Sequence, residues 1–465
     1  MKSEDDNQSA EFRNKISTVT KTGKRRWIFA EKPSGKFYRL RNIFSWFYFI
    51  VFFTLPFIKV NGEPLMMLNF PKGKFVVLGK IFWPQDFFIF AVAMISAIIF
   101  IALFTAVWGR LFCGWVCPQT VFLEMLFRKV EWLIEGTYTQ QQKRDAGPWT
   151  TDRVVRKTIK HIVFLFLSFW ISHTFLAYII GVDDLWKIIR EPVSDHLILL
   201  FGLVFFSLLF YSVFAFAREI VCTALCPYGR LQAVLLDKDT MKIAYDYVRG
   251  EPRGKAKSGT TVGDCIDCNK CVHVCPMGID IRNGDQIECT GCTACIDACD
   301  NVMLKINRET GLIRYASENQ IRHRKPFKVT TRIKAYSAVL LLLLTLITTL
   351  ILKSHSVDTH ISRVKGQLYQ ELPGDSLSNL YNAEVLNKTR EDVPLSFRVE
   401  NLHAEVKMIS SKATVASKEK VNLITFFIVL HKNQIHSRTT KLKIGVYQGD
   451  RKIQTVKTTF LGPFM

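Results

Sequence analysis

Twelve cysteines carry the chemistry open to this sequence, and eight of them fall in two matched runs. Cys265, Cys268, Cys271 and Cys275 are followed by Pro276, the C-x2-C-x2-C-x3-C-P run of bacterial two-cluster ferredoxins. Cys289, Cys292, Cys295 and Cys299 repeat the spacing. Short gaps let three thiolates of one tight loop reach three corners of an iron-sulfur cube, while the chain beyond turns the fourth toward the other cube. On that logic Cys265, Cys268, Cys271 and Cys299 hold one 4Fe-4S cluster, and Cys289, Cys292, Cys295 and Cys275 hold a second. Zinc is the competing ligand chemistry, and two complete registers, the first closed by Pro, speak against it. Asp300 stands where a second Pro would be common; it bears on the local turn or the cluster potential, not on the ligand count. Two neighbouring cubes make a relay.

The other four cysteines form a duplicated unit, Cys113 and Cys117-Pro118, then Cys222 and Cys226-Pro227. Proline restrains the residue before it and is favoured at the first helical position, so Cys117 and Cys226 are expected to cap helices starting at Pro118 and Pro227. A thiol facing unpaired helix N–H groups is biased toward thiolate. Four soft sulfurs converging at a membrane edge would suit Cu(I) best and could take part in reducing Cu(II). The alternatives are small buried residues closing helix turns, a further iron-sulfur cluster, or contact with a quinone head group.

These groups must be held by a chain whose 49% hydrophobic residues and 36 Phe exceed what water-facing globules accommodate, while its 22% charged residues require soluble segments as well. Five uncharged runs, 42–58, 87–108, 162–182, 197–217 and 335–352, are long enough to cross about 30 Å of hydrocarbon. Eleven Lys or Arg precede the first run, which places that leader in the cytoplasm. Alternation then leaves 109–161 and 218–334 cytoplasmic. All twelve cysteines lie in those two segments, the reverse of a disulfide-stapled protein. The net charge of +22 is read as membrane orientation, and no nucleic-acid partner is expected.

The expected organisation is a basic leader, 1–41, without motif and disordered to about residue 23; a four-helix membrane domain, 42–240; a two-cluster ferredoxin-like domain, 241–330; a fifth span, 333–353; and an outer domain, 355–465. In that last part Val, Ile and Phe alternate with Lys and Ser, as over 421–429, and 447–452 reads as a hairpin turn. About 100 residues of short strands without Cys suggest an immunoglobulin-like sandwich serving for docking or for stability. His173 sits inside the third span, where an ionisable group is a functional candidate; the alternative is a neutral imidazole bonded within the bundle. His161 and His196 lie at span ends, and Trp83, Trp108 and Trp115 read as interfacial belt residues.

Trp83-Pro84-Gln85-Asp86, the block Gly109 to Thr120, Cys226-Pro227-Tyr228-Gly229-Arg230-Leu231-Gln232 and the run Tyr245 to Arg253 together resemble the FixG/RdxA/CcoG family of cytochrome c oxidase accessory proteins. Membrane polyferredoxins of the NapH quinol-dehydrogenase type share the paired cysteines and the ferredoxin but not the outer tail. The resemblance implies assembly of a C-type (cbb(3)) haem-copper oxidase in a bacterial cytoplasmic membrane, with reduction of Cu(II) to Cu(I). The residues themselves are read as passing electrons from a cytosolic donor through two 4Fe-4S clusters to copper as substrate, with oxidase subunits or a copper transporter or chaperone as expected partners and the Ig-like domain expected in the periplasm. A quinol-linked polyferredoxin and a non-catalytic scaffold or copper chaperone remain as rival functions.

Overall fold

The computed structural model describes residues 18, 25–60, 62–70, 73–77, 80–82, 87–192, 197–254, 262–324, 326–353, 357–364, 366, 368–387, 392–409, 415–416, 421–435 and 437–463. The motif Trp83 to Asp86, His196 and nearly all of the leader to residue 24 lie outside them. Two compact units result, Met1–Thr345 and Leu346–Met465.

Five helices are long and apolar enough to cross a membrane: Lys36–Phe57, Phe88–Trp108, Thr151–Ile180, Leu200–Ala217 and Thr331–Leu352. Lipid offers no partner to backbone N–H and C=O groups, so such segments must satisfy them internally as helices. The first starts six residues earlier than the hydropathy boundary at 42. Its first turn is held from outside, because the buried Asp297 carboxylate accepts from Phe37 N at 3.0 Å and from Tyr38 N at 2.7 Å. Gly35 makes room for this clasp; a Cβ there would lie 2.3 Å from Asp297 Cγ. Asp297→Ala strands both N–H groups and is expected to cost about 0.5–2 kcal/mol. Thermal melting in detergent should show that loss, with Asp297→Asn retaining part of the stability.

The ferredoxin part is built on the strand pair Lys242–Tyr245 and Ile313–Ala316 and the helix Ala294–Lys305. Ile243, Tyr245, Ile281, Ile296, Met303, Leu312 and Ile313 form its core around the cysteines. Its halves repeat in backbone as well as in sequence: Asn269 and Thr293, each following the second cysteine of its run, both take left-handed conformations, φ 59 and 67. Asp300, in place of proline, continues the helix, and its carboxylate accepts from Gly311 N at 2.8 Å.

The second unit contains the expected all-β sandwich. One sheet runs Ala404–Met408, Val421–His431, Ser376–Asn387, Val357–Arg363, and the other Ser396–Val399, Thr439–Gln448, Arg451–Leu461. Alternation buries Tyr381, Phe397, Phe426, Ile428 and Phe460 between them. Tyr381 donates across the sandwich to Thr459 O at 2.9 Å. The hairpin turn is tighter than the expected 447–452: Tyr447 and Gln448 still pair with Lys452 and Arg451, leaving Gly449-Asp450 to turn with Gly449 at φ 59.

Candidate functional site

The two C-x3-C-P blocks share a backbone plan, with an α-helical turn, Leu111–Trp115, in the first and a π-helical one, Val221–Leu225, in the second. Each span ends in a left-handed residue, Gly109 at φ 56 in the first and Arg218 at φ 47 in the second. Four residues on, Cys113 and Cys222 follow in one helical turn, and Cys117 N and Cys226 N each bond to the carbonyl five residues back, Phe112 O at 3.0 Å and Val221 O at 2.7 Å. Cys117 and Cys226 then cap the helices that open at Pro118 and Pro227, as proline's restraint on its predecessor dictates. Two π-helical turns, Leu123–Phe127 and Val213–Ala217, flank the pair, and a third, Val221–Leu225, carries Cys222. Such turns concentrate at functional sites, and hydropathy carries no signal for them.

The blocks also meet across the repeat. Cys113 Sγ donates to Gln232 Oε1 at 3.0 Å, on the helix after the second block, and Cys222 Sγ lies 3.9 Å from Thr120 Oγ1, on the helix after the first. Burial pushes the Cys113 thiol up to about 12, with Cys117, Cys222 and Cys226 adding to the effect. Burial likewise pushes Cys222 up to about 12, again with help from Cys117 and Cys226. The four sulfurs therefore share one neighbourhood. Desolvation thus favours the neutral thiol at Cys113 and Cys222, and an ion bound there would have to displace the proton. Among the described residues no three His, Cys, Asp or Glu side chains surround one point closely enough for a single ion.

Beneath the blocks lies a buried charge network that sequence reading did not anticipate. Arg218 is bidentate on Glu131 at 2.6 and 2.9 Å, and Arg128 reaches Glu219 at 2.6 Å and Glu124 at 3.1 Å. Lys160 pairs with Glu135 at 3.0 Å. Trp27, from the leader, lies under the Arg218 guanidinium at 4.8 Å. The signal available in sequence was the charged face Glu124, Arg128, Glu131 and Glu135, at helical spacing between apolar residues.

Cysteines of the two ferredoxin runs cross over as neighbours. Cys299 feels Cys271, Cys268 and Cys265, whereas Cys275 feels Cys292 and Cys289. Two buried hydroxyls without a hydrogen-bond partner, Tyr245 Oη and Thr290 Oγ1, lie against Cys265 and Cys292 respectively. Orphaned donors beside cysteine sulfur fit a polyanionic iron-sulfur group, whose sulfurs accept hydrogen bonds. The Cys289 to Cys292 loop presses on the first block: a Cβ on Gly114 would lie 2.7 Å from both Thr290 O and Gly291 O, and one on Gly291 would lie 2.9 Å from Arg110 O. Arg110 ties the three parts together by donating to Ile287 O and Gly229 O.

His173 does not join this site. Its Nδ1 lies 2.7 Å from Phe169 O of its own helix, and its Nε2 is buried without a partner. His161, on the same helix, contacts Phe216, two residues before Arg218, so twelve residues of helical rise place His173 about 18 Å along the span from that level. Trp108, at the end of its span, lines a cavity of about 320 Å³ with Arg110, Leu111, Lys242, Cys289 and Tyr315.

Three family models match the chain: a 4Fe-4S dicluster domain over 217–318, a 4Fe-4S binding domain over 90–135, and an Ig-like fold at the C-terminus of FixG over 346–463. The nitrogen fixation protein FixG of Rhizobium meliloti is 36% identical over 311 residues, 63% of this chain and 58% of that protein. Protein RdxA of Cereibacter sphaeroides is 33% identical over 390 residues, 78% of this chain and 80% of its own. The ferredoxin-type protein NapH of Escherichia coli is 24% identical over 229 residues, 46% and 68% of the two chains.

Proposed function

Since the chain belongs to the FixG/RdxA family of iron-sulfur electron-transfer membrane proteins, we propose that it is a cupric reductase, passing electrons from a cytosolic ferredoxin or flavoprotein to Cu(II) held at Cys113, Cys117, Cys222 and Cys226. The observation that carries this reading is the neighbourhood shared by the four cysteines of the duplicated block, with the first block packed at Gly114 against the Cys289 to Cys292 loop. Cys265, Cys268, Cys271 and Cys299 would hold one 4Fe-4S cluster and Cys289, Cys292, Cys295 and Cys275 the other; bound there, the clusters supply one-electron relay chemistry. Tyr245 and Thr290 stand ready to donate hydrogen bonds at the two sets, and Gly114 and Gly291 keep the second set close to the paired blocks. Each Cu(II) takes one electron and becomes Cu(I), the state that soft sulfur ligands favour. Cys113 and Cys222 must give up protons on binding, and Gln232 and Thr120 are positioned to orient the two sulfurs.

The biological setting follows the family resemblance: a bacterial cytoplasmic membrane, the leader and ferredoxin in the cytoplasm, the Ig-like domain in the periplasm, and Cu(I) destined for a cbb(3)-type oxidase directly or through a copper transporter or chaperone. Replacing all four block cysteines by Ser should abolish anaerobic Cu(II) reduction while leaving the brown iron-sulfur absorbance. Unchanged copper reduction would refute the assignment, and loss of a third of the iron would make the site a third cluster instead. The cavity lined by Trp108 and Cys289 favours one second reading, a quinol head group delivering or receiving electrons at the membrane surface. Bleaching of the clusters by a quinol, with no response to copper, would select it.

A further inference from the structure

The two cluster sites differ in how their surroundings are charged. Around the first set, Arg282 is the nearest buried cation, and it is consumed: Asp280 accepts from it at 2.6 Å, and Asp267 and Asn269 each at 2.5 Å. Arg253 is paired with Glu251 at 2.7 Å, and Asp300 acts on Cys299. Cys268 of this set is exposed to solvent. None of the second set is exposed, and it meets two cations, Arg110 at Cys289 and Arg41 at Cys292, against the carboxylates of Glu288 and Glu124.

Arg41 is the unusual one. It comes from the first span, one turn beyond the Asp297 clasp, and is only 3% exposed, yet its Nε and Nη2 have no hydrogen-bond partner. Glu124, a buried carboxylate that the Arg41 charge also reaches, is paired with Arg128 at 3.1 Å. A buried guanidinium with unmet donors is costly unless an anion arrives to meet it. Burial also works against the second set, because adding an electron there adds negative charge in a poorly solvated place.

We propose that Arg41 is the counter-charge that keeps the buried second cluster reducible, so that electrons enter at the solvent-facing first set and settle next to the paired cysteine blocks. Arg41 is thus a positioning residue for the cluster held by Cys289, Cys292, Cys295 and Cys275, and it sets the direction of flow. This rests on the iron-sulfur part of the functional reading and is independent of copper.

The test is an EPR-monitored redox titration of the full-length protein in detergent, without copper, comparing wild type with R41M, R41Q and R41K. In R41M one cluster should become at least tenfold harder to reduce at fixed potential, about 59 mV for one electron, while the other stays put. R41Q should behave like R41M, and R41K should lie near wild type. Loss of one cluster from both neutral variants, with R41K fully loaded, supports the same role. Unmoved potentials in R41M or R41Q at full iron content, an equal shift of both clusters, or loss of iron from R41K as well would overturn it.

Discussion

Arg218→Ala is expected to destabilise the protein by about 3–5 kcal/mol, because it takes the bidentate partner from the buried Glu131, leaving it Lys160 at 3.8 Å, and leaves Glu219 to Arg128 alone. Arg218 is 1% exposed and bonded to both oxygens of Glu131. Burial alone would raise the Glu131 carboxyl, but the Arg218 charge and hydrogen bonds, joined by Lys160 and Arg128, hold it below the usual carboxylate range. A carboxylate lowered on folding contributes stability that is complete above its unfolded pKa and is lost as pH falls through the folded one. In the Ala variant Glu131, without its bidentate partner, takes up its proton more readily, so the gap in melting temperature between wild type and variant should narrow below about pH 4.5. Arg218→Gly separates charge from backbone. It loses the same ion pairs but relieves φ 47, as Gly109 does in the first block, and should recover about 1 kcal/mol relative to Ala.

How much of this was legible in sequence follows from the range of each interaction. Cysteine spacing declares the ferredoxin because its ligands come from tight local loops, and the caps at Cys117 and Cys226 are legible because proline acts on its immediate neighbour. The spans are legible because lipid imposes length and composition on each separately. The first span's early start was not, since Lys36, Arg39 and Arg41 lower its hydropathy while Asp297, some 260 residues away, fixes its first turn. Thiol protonation at Cys113 and Cys222 was not legible for the same reason, because it is set by burial against the partner block rather than by local spacing. His173 drew attention by its type, although its carbonyl partner one turn back is what an unexceptional span histidine would find.

Gly114→Val tests the close backbone approach between the first block and the Cys289 to Cys292 loop. A Cβ at 114 has no flexible neighbour to displace; the atoms it meets at 2.7 Å are the backbone carbonyls of Thr290 and Gly291, and Gly291 itself is at φ 70 against Arg110 O. The first block must therefore back away from the Cys289 to Cys292 loop. Misplacement by about 1 Å at a reacting site can cost on the order of a hundredfold in rate, and electron tunnelling also falls steeply with distance, so reoxidation of the reduced protein by Cu(II) should slow by about tenfold to a hundredfold. Iron content and cluster potentials should stay near wild type, because the substitution lies outside both sets of ligands. Stopped-flow absorbance under anaerobic conditions would measure the rate, with Gly202→Ala as control, since a Cβ there meets nothing within 4 Å. A wild-type rate in Gly114→Val would mean that electrons do not leave through this block, and the exit would pass to the cavity beside Trp108 and Cys289.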